Sequence, residues 1–332
     1  MKVLVTGSAG FIGTHLIKSL HDSGINVIGL DKAHEPHQEK DEIPCYACNI
    51  LDHEKLLDVF TKEQPTAVVH LAARTDLEEH DDLNGYASNI QGVQNIVDCI
   101  EKTQSVTRSI ITSSQLVCDV SYMPKHDQDF NPSTLYGQSK VETEKIIRDC
   151  DGGKKTWTLV RPTTIWGPGV STHYQRFFKY LQKGYYFYVT HDPLWKSYGY
   201  VGNTIFQIIQ ILNAPETSIH QRVFYLADYK PISLQNWCNQ FQKELNGPRI
   251  PVFPQIFATF LAKTGDLLSG LGWKFFPFTS FRLKNILTQY VFDLKPTELI
   301  CGELPYSWED GVTKTVQWLS DAKIVQSHIK EK

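Results

Sequence analysis

Apolar positions along the first half of the chain follow two alternating rhythms. Residues 2–6, Val27–Leu30, Cys45–Asn49, Ala67–Leu71 and Ser109–Ser113 are short β-rich runs bounded by Gly, Asp, Asn or Ser, which predicts strands. Between them the apolar residues recur at helical spacing. Phe11, Ile12, Leu16 and Leu20 share one face of a helix over 11–22, and Leu56, Leu57 and Phe60 share one over 53–63. A longer amphipathic helix is predicted over 86–103. Residues 32–44 are polar and hold two prolines, so they read as a loop. Strands alternating with helices of this length imply crossover units and a parallel sheet with both faces covered. The fold class expected is α/β, a doubly wound parallel sheet joined to a smaller mixed α/β domain.

From Pro162 onward the rhythm breaks, and Pro, Gly and aromatic residues become frequent. Helices are expected over 174–183 and 203–213, and over Ser307–Leu319 with Ser307 as N-cap and Asp310 in the first turn. The apolar, aromatic run Phe253–Phe281 is read as one amphipathic helix and a loop. Its plainest role is packing the core of the smaller domain, and its composition also suits a hydrophobic substrate or a membrane surface. The division expected is 1–166 for the sheet domain, with 198–228 returning to it, and 167–197 with 229–332 for the smaller domain.

Composition narrows the function classes. The 332 residues are 41% hydrophobic and 21% charged with a net charge of −3, an ordinary globular balance without the basic footprint of a nucleic-acid binder. The N-terminus runs straight into the first strand, no run is long and apolar enough to span a bilayer, and a cytoplasmic location is expected. Seven cysteines at irregular spacing read as reduced thiols. Cys45 and Cys48 form a CxxC. It lacks the second ligand pair of a zinc site and lies in a strand-like run, so two small strand residues are favoured over a redox pair, and no metal site is expected.

Candidate chemistry begins at the first strand-to-helix turn, Thr6-Gly7-Ser8-Ala9-Gly10-Phe11-Ile12-Gly13. Glycines there allow a tight turn and close approach of backbone to a pyrophosphate, and the helix N-terminus offers free N–H groups to the anion. Asp31, at the end of the next strand, suits the hydroxyls of an adenosine ribose and would repel a 2′-phosphate, which favours NAD; Lys32 beside it keeps NADP open. Tyr136 and Lys140 stand at i and i+4 and so share one face of a helix. An ammonium beside the phenol would lower the tyrosine pKa and make it an acid/base for hydride-transfer chemistry. Ser113 and Ser114, at the carboxyl end of a strand, supply a hydroxyl to hold a substrate oxygen.

In this order the residues resemble the extended short-chain dehydrogenase/reductase family, a Rossmann-fold group, and in particular its NAD-dependent epimerase/dehydratase branch. The motifs are TGSAGFIG at 6–13, Asp31, Asn49-Ile50, His70-Leu71-Ala72-Ala73, Asn89 with Gly92, TSSQLV at 112–117, YGQSK at 136–140 and RPTTIWGPG at 161–169. The resemblance implies cofactor contacts from Gly7, Gly10, Phe11, Ile12, Gly13, Asp31, Asn49, Ile50, Leu71, Ala72, Ala73 and Asn89. It implies Ser114 as the catalytic serine, Tyr136 as acid/base, and Lys140 as the ligand of the nicotinamide ribose that also tunes Tyr136. It implies a homodimer built on the helices at 86–103 and 136–150.

Departures from the family pattern bear on the reaction. Gln115 and Leu116 stand where 4,6-dehydratases carry an Asp-Glu pair, so neither the acid nor the base of a dehydration is present there. Thr164 stands where many sugar-nucleotide epimerases have Asn, and Lys196 where they have a diphosphate-binding Arg; Arg176 and Arg282 are further candidates for the substrate anion. The leading expectation is a nucleotide sugar as the small-molecule substrate, with the chain acting as a 4-epimerase or keto-reductase. An alternative is the 3β-hydroxysteroid dehydrogenase branch acting on a hydrophobic alcohol, and a third is a dinucleotide-binding regulator without turnover.

Overall fold

The computed structural model describes residues 1–34, 42–77, 79, 82–271 and 278–325. They form two compact units. The first comprises 1–165, 201–227 and 293–305. Its centre is a seven-stranded sheet of β1 (Lys2–Thr6), β2 (Asn26–Asp31), β3 (Cys45–Ala47), β4 (Ala67–His70), β5 (Arg108–Thr112), β6 (Thr156–Pro162) and a last strand, Arg222–Leu226. Every pairing is parallel, in the order β3-β2-β1-β4-β5-β6-last strand. This is the doubly wound Rossmann arrangement, and the order reverses between β1 and β4.

The strands are apolar almost throughout because both faces are covered. In β1 every residue after Lys2 is buried, and β4 is buried end to end. Leu4, Ile28, Val68, Ile111 and Leu159 turn to one face. There they meet Leu56 and Phe60 of α2 (His53–Glu63), Val93, Ile96 and Ile100 of α3 (Ala87–Lys102), and Ile147 of α4 (Leu135–Asp149). The helix α1 (Phe11–Asp22) and the helix Val201–Asn213 pack on each other and cover the opposite face. The segment 293–305, placed in the smaller domain by sequence, belongs to this first unit. Thr297 Oγ1 donates to Tyr225 O at 2.8 Å and the Cys301 thiol donates to Gln207 O at 3.6 Å, so it is bonded to the last strand and the covering helix.

The second unit holds 166–200, 228–292 and 306–332. A two-stranded antiparallel ladder, Trp195–Lys196 with Ile232–Ser233, links helices Thr172–Lys183 and Leu234–Glu244. Trp166, Phe178, Trp237 and Phe241 make its aromatic core, with Phe178 and Phe241 ring centroids 4.5 Å apart. The closing helix, Trp308–Asp321, starts on a reciprocal capping box between Ser307 and Asp310. Its Gly311 sits where a Cβ would come within 2.8 Å of the Trp166 ring.

Helix Gln255–Gly270 reverses the expected packing. Ala258, Ala262 and Gly265 turn inward, joining Val189 and Leu283, while Ile256, Phe257, Phe260 and Leu267 are exposed. The run therefore does not bury its large side chains in the unit's core.

Candidate active site

Parallel sheets bind ligands at the carboxyl ends of their strands, at the point where the order reverses. Here that point lies between β1 and β4. Thr6 and His70 end these strands opposite each other, and Thr6 Oγ1 meets His70 Nδ1 at 2.7 Å. The His70 ring is buried, which depresses its pKa to about 3, with Lys140 adding to the fall, so the imidazole is neutral. Its Nε2 and the Thr112 hydroxyl at the end of β5 are buried polar atoms with no protein partner.

Backbone shape at the first turn fits a pyrophosphate. Gly7 has φ +72°, and a Cβ on it would lie 2.6 Å from Ala72 N. A Cβ on Gly13 would lie 2.1 Å from Gly7 O, so the turn closes only with glycine at both places. The N-cap of α1, Gly10, offers no side-chain acceptor, and no acid stands in the helix's first turn. The leading N–H groups and the positive helix end are thus left for an anion. Asp31 reaches the same turn, accepting from Ala9 N at 3.3 Å and Ala33 N at 2.9 Å. These residues fit a dinucleotide: Gly7, Gly10 and Gly13 would take its phosphates and Asp31 its adenosine ribose.

Other expected cofactor contacts have protein partners of their own. Asn89 is fully buried; its side chain accepts from Arg74 N at 2.8 Å and donates to Arg74 O and Ser139 Oγ, both at 2.9 Å. It therefore ties the loop after β4 to α4. The Asn49 side chain accepts from Leu51 N at 3.1 Å as a turn device. Ile50 lies in the core against Gly92, and its carbonyl accepts from Asn95. Leu71 and Ala72 donate their N–H groups to Thr6, which fixes the strand-end loop, and Ala73 follows in the same half-buried stretch.

Helix α4 brings the catalytic candidates together. Thr134 caps it by accepting from Gly137 N, and Tyr136, Ser139, Lys140, Val141, Thr143, Glu144 and Ile147 form its buried side. The Tyr136 phenol is pushed up to about 12 by burial, against a hydrogen bond with Ser114 that lowers it and the Tyr86 phenol that raises it. Lys140 stands one turn further along the same helix. The lysine Nζ donates to Thr112 O at 2.9 Å, and burial brings its pKa down to about 8 while Glu144 pulls it up. The two strand-end serines part company. Ser113 Oγ donates to Glu144 at 2.6 Å, whereas the Ser114 hydroxyl serves Tyr136 and caps Leu116 N at 3.1 Å.

Sequence reasoning missed the support beneath this triad. Glu144, wholly buried, accepts from Arg161 Nε at 2.7 Å and from its Nη2 at 2.8 Å. Arg161 also donates to Asp127 O at 2.5 Å and to the Tyr225 hydroxyl at 3.1 Å. A second missed group is Tyr86, whose ring lies 6.0 Å from that of Tyr136, whose hydroxyl donates to Asp76 O, and over which Arg74 stacks. The signal for Glu144 was its place one further turn after Lys140, a carboxylate on the face that meets the sheet.

The substrate candidates divide by unit. Thr164 follows β6 in the first, half-buried. In the second, Arg176 is exposed on helix Thr172–Lys183 and Arg282 on helix Ser280–Leu287. Lys196 is not the accessible point charge the sequence suggested. Its ammonium is buried and donates to the carbonyls of Asn285 and Thr288, and burial lowers its pKa to about 8. It satisfies the carbonyl end of that helix. The seven cysteines are all free; the Cys48 thiol is pushed up to about 11 by burial, with Asp52 adding, which makes it inert. Among the described residues no group of three or more His, Cys, Asp or Glu is placed to hold a metal, and no helix is long and apolar enough to cross a membrane.

An N-acetyl-α-D-glucosaminyl-diphospho-ditrans,octacis-undecaprenol 4-epimerase of Escherichia coli O157:H7 is 24% identical over 326 residues, covering 95% of this chain and 94% of that one. A UDP-glucose 4-epimerase of Bacillus subtilis (strain 168) is 28% identical over 172 residues, 48% of this chain and 50% of that one. The fold is that of UDP-glucose 4-epimerase from Thermotoga maritima, with a TM-score of 0.73 at 20% identity over 97% of this chain and all of that one. The sequence pattern of the NAD dependent epimerase/dehydratase family matches residues 3–227. The chain therefore belongs to the NAD-dependent epimerase/dehydratase family of extended short-chain dehydrogenases/reductases, with NAD as its cofactor.

Proposed function

We propose that the chain is a 4-epimerase of a sugar carried on a diphosphate, with a nucleotide sugar as the first candidate. The observation that carries this reading is the buried Tyr136 phenol hydrogen-bonded to Ser114, with Lys140 one turn away on α4 and the glycine turn at the head of the sheet. NAD, when bound, supplies the reversible hydride acceptor that such a reaction needs. The protein supplies the proton handling. Tyr136, acting as the phenolate that its hydrogen bond with Ser114 favours, takes the proton of the sugar hydroxyl at C4 and later returns it, and Ser114 holds the oxygen on which charge develops. Lys140 stands ready to bind ribose hydroxyls as a donor, its own carbonyl partner, Thr112 O, lying at the end of β5. After oxidation the 4-keto sugar turns over and is reduced on its other face, so the cycle is redox-neutral. A keto-reductase would use the same residues in one direction.

The carrier is open to a second reading. The match to the undecaprenol-linked 4-epimerase spans nearly the whole chain, whereas that to the Bacillus UDP-glucose 4-epimerase spans about half. A polyprenyl diphosphate therefore competes with a nucleoside diphosphate as the carrier. The test is a Tyr136→Phe variant assayed against UDP-glucose, UDP-N-acetylglucosamine and a short-chain polyprenyl-diphospho-N-acetylglucosamine. The wild type should interconvert the C4 epimers of one series, and the variant should bind NAD unchanged and lose turnover at least about a hundredfold. Undiminished activity in the variant, or inertness of the wild type on all three beside oxidation of a hydroxysteroid, would overturn the reading.

A further inference from the structure

Helix Gln255–Gly270 is built inside out. Its small residues Ala258, Ala262 and Gly265 face the protein, where Ala258 and Ala262 pack with Leu283 of the neighbouring helix Ser280–Leu287 and with Val189. Its large ones face solvent: Ile256 and Phe260 are each 75% exposed, Phe257 64%, Leu267 66%, and Leu271 at the C-cap 75%. Positions 256, 260, 267 and 271 lie within about one-sixth of the helix circumference, Phe257 lies beside them, and the exposed Phe253 immediately precedes the helix, so the exposed side chains form one stripe. An aromatic side chain offers roughly 150–250 Å², and the stripe therefore leaves on the order of several hundred Å² of apolar surface open. A soluble surface helix presents the opposite face to water.

Charge says what covers it. The described residues 253–271 and 278–287 carry Lys263, Arg282 and Lys284 against a single acid, Asp266, in a chain whose net charge is −3. Asp266 accepts from Ser280 N at 3.0 Å, tying the start of the second helix to the first. Lys263, Arg282 and Lys284 are exposed on these same two helices. An apolar stripe bordered by lysine and arginine matches an anionic bilayer surface, with the large side chains entering the headgroup–acyl boundary and the cations meeting lipid phosphates. A protein partner or a second copy would have to supply acids in place of those phosphates.

We propose that the face formed by Phe253, Ile256, Phe257, Phe260, Leu267 and Leu271 docks the protein on an anionic lipid bilayer. This inference rests on the chain's own surface and stands whether the sugar carrier is a nucleotide or a lipid. NAD-loaded full-length protein is floated with vesicles of phosphatidylcholine alone and of phosphatidylcholine with phosphatidylglycerol, beside a Phe257→Ser/Phe260→Ser/Leu267→Ser variant and a Lys263→Glu variant. The wild type should float with the phosphatidylglycerol vesicles and less with the neutral ones. The triple variant should unfold at the wild-type temperature, its sites being exposed, and lose binding about tenfold or more, and Lys263→Glu should weaken it and reduce its salt dependence. Failure of the wild type to float, or equal flotation of the triple variant, overturns the proposal. So does self-association in sedimentation velocity that the triple variant abolishes without any vesicle binding, since the stripe is then a contact between copies.

Discussion

Replacing Glu144 by Gln should separate the support of the site from its chemistry. The carboxylate is wholly buried and bridges Ser113 at the end of β5, Arg161 in β6 and, at 3.4 Å, Arg148 one turn along α4. Arg161 is 1% exposed, so the neutral amide leaves a guanidinium buried without a counter-charge. Breaking such a pair costs about 3–5 kcal/mol, whereas replacing both partners by apolar groups of similar size costs little. In a unit of this size each kcal/mol lowers Tm by roughly 2–4 °C, so Glu144→Gln should lose on the order of 10 °C. Glu144→Leu combined with Arg161→Met should regain most of that. Activity should not return with it, because Glu144 also fixes the strand end that carries Ser114 and is the charge that raises Lys140. The assays are urea unfolding at constant pH and steady-state kinetics on both variants. A Glu144→Gln protein within about 1 kcal/mol of wild type, or a double variant no more stable than the single, would refute the argument.

Three further outcomes follow from the same geometry. Gly13→Ala should cut NAD affinity more than about tenfold in calorimetric titration, because its Cβ meets Gly7 O at 2.1 Å; Gly24→Ala, with φ +73° and nothing within 4 Å, should cost only about 1–2 kcal/mol of backbone strain and leave NAD binding intact. Asp31→Ala should weaken NAD and admit NADP, read as a reversal of their dissociation-constant ratio by an order of magnitude or so; unchanged preference would remove Asp31 from the ribose role. Lys140 and Lys196, both brought down to about 8 from 10.5, should give two lysine Nζ resonances titrating near pH 8, one missing in Lys140→Met and the other in Lys196→Met. Between pH 8 and 10.5 the unfolded chain then binds more protons than the folded one at these two sites, so their contribution to stability rises with pH through that window.

What the sequence reveals and what it withholds divides along the range of the interactions involved. The strands β1 to β5 and helices α1 to α3 are legible because a parallel sheet buried on both faces writes apolar runs into the sequence, and its covering helices write a 3.6-residue period. The glycine turn is legible because steric closure admits no other residue. Tyr136 and Lys140 are legible because a helix fixes their spacing. The roles of Glu144, Lys196 and Asn89 depend instead on partners far along the chain. Glu144 finds Arg161 on a strand, Lys196 finds carbonyls near 285 and 288, and Asn89 finds the loop at Arg74. A buried charge announces only that some partner exists, since leaving it unpaired costs several kcal/mol. Helix Gln255–Gly270 shows the opposite failure: a helical period was present, but periodicity gives the phase of an apolar stripe and not the direction in which it points. Direction is set by which side can be approached closely, and Ala258, Ala262 and Gly265 were the residues in that run that let another helix in.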